Sequence, residues 1–97
     1  MTRRPREQPR RQPVYDPQFL EDLEYWQQNA PSIATRLLRL VDATLTDPFD
    51  GIGKPEPLRF GQQGRWSRRL TSEHRMVYKL SEAEVRFLSA RFHYGQD

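Results

Sequence analysis

Ninety-seven residues suffice for one domain with a single modest core and are too few for two. Apolar residues make up 35% and charged residues 30%; no run of some twenty apolar residues occurs, so neither a membrane-crossing helix nor a secretory leader is expected. Cysteine is absent and the two histidines, His74 and His93, lie far apart, which excludes disulfides, a thiol nucleophile and cysteine-ligated zinc and leaves no metal or cofactor expected.

The net charge of +3 is unevenly spread. Residues 1–13 carry five arginines against Glu7, residues 14–53 are acidic by five charges, and residues 54–79 are basic by five. A basic stretch containing Trp66 and Tyr78 suits a phosphate-backbone partner; the same charges also suit two merely solvated faces.

In chain order, residues 1–13 (MTRRPREQPRRQP) are too poor in apolar side chains to offset their ordering entropy, and are read as a disordered arm ahead of one domain spanning 14–97. Val14–Tyr15 closes a short strand. Asp16–Pro17 is a helix start, and Phe19, Leu20, Leu23 and Trp26 form its apolar stripe. Pro31 opens a second helix, with Ile33, Leu37, Leu40, Val41 and Leu45 as its stripe and an end before Asp47–Pro48. The short link between them makes an antiparallel hairpin. The segment DPFDGIGKPEPL, residues 47–58, is an irregular loop. Three strands follow, at Trp66–Leu70, His74–Leu80 and Val85–Phe92. The expected fold class is α+β, with a helical hairpin on one face of a mainly antiparallel sheet of four to five strands.

Alternation sorts the strand faces. His74, Met76, Tyr78 and Leu80 are expected to meet the helices, leaving Arg75 on the open face. In the last strand Leu88, Ala90 and Phe92 are assigned to the helix side, and Phe87, Ser89, Arg91 and His93 to the open face. Glu56, held between Pro55 and Pro57, is either a stiffly positioned base or a solvated loop carboxylate. With Arg75 and His93 on one face it makes the start of an acid–base site. Tyr94 is a proton donor, a base-stacking ring or a plain terminal aromatic. Trp26 and Trp66 read as core.

Three strings, GKPEPL, GRWSRRLTSEHRMVY and the terminal RFHY, supported by LEYWQQ and DPFDGIG, resemble the YoeB/Txe toxins of the RelE-like superfamily over residues 14–94. The resemblance implies a microbial-RNase-type fold and a ribosome-dependent mRNA endonuclease, an interferase cutting messages at the ribosomal A site. It implies catalytic roles for Glu56, Arg75, His93 and Tyr94, with Lys54 and Arg59 as supporting cations; the family has lysine where this chain has Arg59. RNA supplies its own 2′-OH nucleophile, so this chemistry needs a base, an acid and positive charge, and no metal. The resemblance also implies a YefM-type antitoxin partner, contact with operator DNA only through that antitoxin, no membrane partner and a cytoplasmic setting. Lys54, Arg59, Arg75 and Arg91 would form the basic face that binds RNA phosphate and attracts an acidic antitoxin segment. Pairing into a homodimer stays open. The competing expectation is a non-catalytic RelE-fold toxin or RNA-binding module acting elsewhere, such as on DNA gyrase; a pure binder has no need of Glu56, Arg75 and His93 together.

Overall fold

A computed structural model of the chain describes residues 10–59 and 64–92. The elements are β1 (Gln12–Tyr15), α1 (Pro17–Asn29), α2 (Pro31–Thr46), β2 (Glu56–Pro57), β3 (Arg65–Arg69), β4 (Arg75–Leu80) and β5 (Glu84–Ser89). One five-stranded sheet runs β1-β5-β4-β3-β2. β1 lies parallel to β5 and the remaining neighbours are antiparallel. The α+β expectation of two helices on one sheet face holds.

Proline organises the helical hairpin. Pro17 and Pro31 each stand in a first helical turn, where a missing N–H costs nothing. Asp16 occupies the cap position of α1, yet its side chain caps nothing: Oδ1 accepts from Arg86 Nη1 at 3.0 Å instead. Phe19, Leu23 and Trp26 face the sheet as expected, whereas Leu20 is half exposed. The one-residue step past Phe19 turns Leu20 by about 100° away from the seam. From α2, Leu37, Leu40 and Val41 join this core, and Met76, Tyr78, Val85 and Phe87 close it from the sheet.

The last strand departs from simple alternation. Tyr78 pairs with Phe87 but Val77 pairs with Ser89, so Leu88 is an extra residue in β5. This bulge reverses the side-chain parity. Val85 and Phe87 are therefore fully buried under the helices, and Leu88 leaves the helix-facing set; Ala90 stays in it. Reading straight through the bulge put Phe87 on the wrong face.

The N-terminal strand starts at Gln12, inside the stretch that composition assigned to a disordered arm. Gln12 N–H donates to the Ala83 carbonyl, and the strand pairs with β5 through backbone groups that need no apolar side chains. Arg10 reaches the Leu45 carbonyl and Asp42 at the C-terminal end of α2, a favourable place for a cation, and Arg11 donates to the Ser81 carbonyl. Residues 1–9 lie outside the described residues.

Candidate active site

Glu56 stands on β2, a two-residue edge strand that the loop assignment of residues 47–58 did not anticipate. An edge position accommodates Pro57, which has no N–H to give a ladder. The pairing places Glu56 opposite Ser67, Ser67 opposite Val77 and Arg69 opposite Arg75. Directly paired residues share a face, so Glu56, Ser67 and Arg75 rise from the side of the sheet opposite the helices.

There Arg75 Nη1 lies 3.4 Å from Glu56 Oε2 and donates to Ser67 Oγ at 3.2 Å. Ser67 is buried; the Arg75 side chain is 16% exposed and that of Glu56 is 55% exposed. A screened guanidinium thus holds an accessible carboxylate. The pair can accept a proton and stabilise negative charge within one small volume. Lys54 and Arg59, which flank Glu56 in sequence, are exposed, and Lys54 takes a left-handed backbone conformation, φ 51°. Among the described residues no group of three or more His, Cys, Asp or Glu side chains is arranged to hold a metal ion.

The chain returns to this pair after β5. The Arg75 N–H donates to the Phe92 carbonyl at 3.3 Å, and the Phe92 N–H donates to His74 Nδ1 at 2.6 Å. Phe92 itself is left-handed, φ 62°, and turns the backbone as it passes the start of β4. His93 and Tyr94, the expected acid and its neighbour, lie outside the described residues. Arg91 is placed elsewhere than on the expected phosphate-binding face. Its guanidinium sits 3.7 Å over the ring of Tyr25 on α1 and 4.9 Å over that of Phe92. The strand has ended at Ser89, and period-two alternation no longer governs this side chain.

Beneath the site lies a group that sequence reasoning counted only as one more base. Arg68 is fully buried. It donates to the carbonyls of Asp47 (2.6 Å), Asp50 (3.0 Å) and Ile52 (2.9 Å), and to Tyr78 Oη at 3.4 Å. Tyr78 in turn donates to the Pro48 carbonyl at 2.8 Å. Burial raises the Tyr78 phenol above its ordinary range, opposed by the hydrogen bond and charge of Arg68 and aided by the charge of Asp47, so the hydroxyl stays a donor. The loop that leads into Lys54 and Glu56 is thereby bolted to the core. Gly53 lets it lie close: at φ +84° its carbonyl accepts from Arg69 N–H at 2.6 Å, and a Cβ there would fall 2.9 Å from Leu40 and 3.1 Å from Arg68. The signal was legible, since alternation with Trp66 puts Arg68 on the apolar, helix-facing side.

The profile of a family described as "YoeB-like toxin of bacterial type II toxin-antitoxin system" matches residues 15–94. The chain is 46% identical over 80 residues to a Toxin YoeB of Mycobacterium bovis, covering 82% of this chain and 94% of the relative. Its fold is similar to that of the YoeB dimer from Staphylococcus aureus, with a TM-score of 0.80 at 33% identity, over 89% of this chain and 100% of that one. A YoeB-YefM complex from Staphylococcus aureus gives a TM-score of 0.76 at 33% identity over the same shares. The match runs from β1 through the Glu56–Arg75 pair to the residues past β5, and the chain belongs to the YoeB-like toxins of bacterial type II toxin–antitoxin systems.

Proposed function

We propose that this toxin is a ribosome-dependent mRNA endonuclease that cuts the message in the A site and so stops translation. Glu56 takes the proton from the 2′-OH beside the scissile phosphate. Arg75, with Lys54 and Arg59, stabilises the charge that gathers on the phosphorane. His93 protonates the departing 5′ oxygen, a role that histidine suits with its reference pKa of about 6.5. Tyr94 serves in the scheme as a proton donor or as a ring on which a base stacks. The products are a 2′,3′-cyclic phosphate and a 5′-hydroxyl, and no metal takes part in the scheme. The observation that carries this reading is the 3.4 Å approach of Glu56 Oε2 to Arg75 Nη1 on the open sheet face, with the backbone of Phe92 tied to Arg75 one residue before His93.

Restraint comes from a YefM-type antitoxin whose acidic segment folds onto the basic face around Lys54, Arg59 and Arg75. Operator DNA is contacted through that partner, and a second copy of the toxin is a further partner. The dimer and the complex described for the Staphylococcus aureus relatives support both pairings. Messages on ribosomes place the action in the cytoplasm. No described helix is long and apolar enough to cross a membrane.

Primer extension on a message translated in vitro, with wild type and His93→Ala side by side, tests the scheme. Wild type is expected to give new 5′ ends within A-site codons, and the variant to lose about 10²-fold or more in rate, the usual contribution of a general acid. A message left whole by wild type would sink the endonuclease reading, and full activity in the variant would remove His93 as the acid.

A further inference from the structure

The resemblance puts Arg91 on the phosphate-binding face, but its observed seat serves no step of the scheme above. Its guanidinium is clamped between rings, 3.7 Å over Tyr25 and 4.9 Å over Phe92. Such a clamp fixes the plane of the fork and leaves its edges free. Nε is buried and meets no acceptor, and neither amino nitrogen has a hydrogen-bond or ion-pair partner among the described residues. A donor group ordered this firmly and left unmet calls for an explanation. The fork borders a cavity of about 280 Å³ lined by Gln18, Asp22, Ser89, Arg91 and Phe92. Gln18, Asp22 and Tyr25 fall at i, i+4 and i+7 on one face of α1. β1 stops at Tyr15, opposite Phe87, so the edge of β5 beyond that point meets these side chains and not a strand. Asp22 Oδ2 accepts the Ala90 N–H at 2.8 Å, and Trp26 Nε1 donates to the Ala90 carbonyl at 2.9 Å. Asp22 Oδ1 accepts from Gln18 Nε2 at 3.0 Å, while the Gln18 oxygen has no donor among the described residues. The Phe92 residue beside this opening is 56% exposed. Ser89 ties the cavity to the Glu56–Arg75 pair: it stands opposite Val77, Val77 opposite Ser67, and Ser67 opposite Glu56. That row spans three strand spacings, about 14 Å in all, with Arg75 beside it on β4.

We propose that this cavity is a base-reading subsite in which the Arg91 fork takes a guanine of the message beside the cut linkage. The inference rests on the endonuclease reading above and adds to it a sequence preference with a residue that sets it. Chemistry selects the ligand. Guanine presents two adjacent acceptors, O6 and N7, that match two N–H groups of a guanidinium; adenine puts a donor in place of O6, and the pyrimidines carry no N7. The N1–H and N2–H groups of guanine suit the oxygens of Gln18 and Ser89. The exposed Phe92 ring offers a face to a base splayed out of a single strand. An anion is the poorer occupant: a phosphate or a peptide carboxylate would stand beside the Asp22 carboxylate, and a neutral base meets no such repulsion.

Programmed ribosomes carrying messages with each base in turn on either side of the scissile phosphate measure the preference as a ratio of kcat/KM values. At one of these positions guanine is expected to be favoured over adenine by about 5- to 150-fold, the discrimination that one bidentate arginine contact gives. Replacing that guanine with 7-deazaguanine, which has a C–H in place of N7, should lose most of the advantage, and inosine, which keeps O6 and N7, should hold it. Arg91→Lys keeps a charge against Tyr25 without the fork, and Arg91→Gln removes both. Each should bring the guanine-to-adenine ratio to within about twofold of one. The 7-deazaguanine arm needs no variant and stands whatever the substitutions do to folding. Equal cutting of guanine and 7-deazaguanine overturns the proposal. So does a wild-type ratio in Arg91→Gln, and if that variant also binds the antitoxin less tightly, the cavity belongs to an acidic peptide. Titrating GMP and AMP into the full-length chain separates the two readings. In proton–nitrogen correlation spectra GMP should shift the Arg91 Nε–H resonance and AMP should leave it in place. A message left whole while GMP binds selectively removes the endonuclease reading alone; a cut message with no selectivity for GMP removes the guanine subsite alone.

Discussion

Replacing Arg68 with methionine is expected to lower the free energy of unfolding by about 3 kcal/mol or more and the thermal midpoint by roughly 12–24 °C. The guanidinium is wholly buried and spans three backbone carbonyls on one loop, at Asp47, Asp50 and Ile52. Hydrogen bonds from a charged donor contribute about 1.5–3 kcal/mol each, and methionine fills the space while leaving all three acceptors unmet. The loop can open to water, which keeps the loss nearer one such bond or two than the sum of three. For a domain whose total stability is about 5–15 kcal/mol this is a large share. Arg68→Lys should fall between, because one ammonium cannot reach three carbonyls arranged for a planar fork. Urea and thermal denaturation measure the effect. Hydrogen exchange should quicken in the loop before Glu56 while the α1 and β5 amides keep their relative order. A loss under about 1 kcal/mol would mean that the loop is held by its own turns, not by Arg68.

The reach of the sequence can be judged from such residues. Helix starts were plain because proline acts locally: Pro17 and Pro31 set the boundaries whatever lies above them. Strand faces followed from alternation as far as alternation lasts. It failed at Leu88, where one extra residue leaves no mark in composition but swaps the faces of everything before it. Arg91 was misplaced beyond the same strand end, and there the aromatic face of Tyr25 on α1 decides where its guanidinium goes. The β1 boundary was missed because backbone pairing to β5 is indifferent to the polar side chain of Gln12. Within the site, Glu56 and Arg75 were legible because stiff flanking prolines and strand parity are short-range signals. Strand parity shows which face Arg68 takes, but its carbonyl partners, like the backbone groups that Asp22 and His74 hold, lie 16 to 68 residues away in sequence and meet only once the chain is folded.

A message with a single 2′-deoxynucleotide immediately 5′ of the scissile phosphate is expected to go uncut at that linkage, slowed by more than about 10³-fold, while still competing for the toxin. Glu56 is open enough to meet a substrate hydroxyl, whereas Arg75 is recessed and braced by Ser67, as a charge-stabilising group should be. In the proposed scheme Arg75, Lys54 and Arg59 recognise phosphate, which the deoxy substitution leaves intact, so ground-state binding is expected to persist. What disappears is the only nucleophile in the scheme, and Glu56 has no proton left to take. Binding without turnover is the signature of a group needed only in the transition state. Primer extension on deoxy-substituted and all-ribose messages, alone and mixed, gives both quantities in one experiment. Cleavage of the deoxy linkage within about tenfold of the ribose rate would show that water attacks instead. Glu56 would then be aimed at a solvent molecule in line with the leaving oxygen, and the product would carry an open phosphate where the proposed scheme gives a cyclic one.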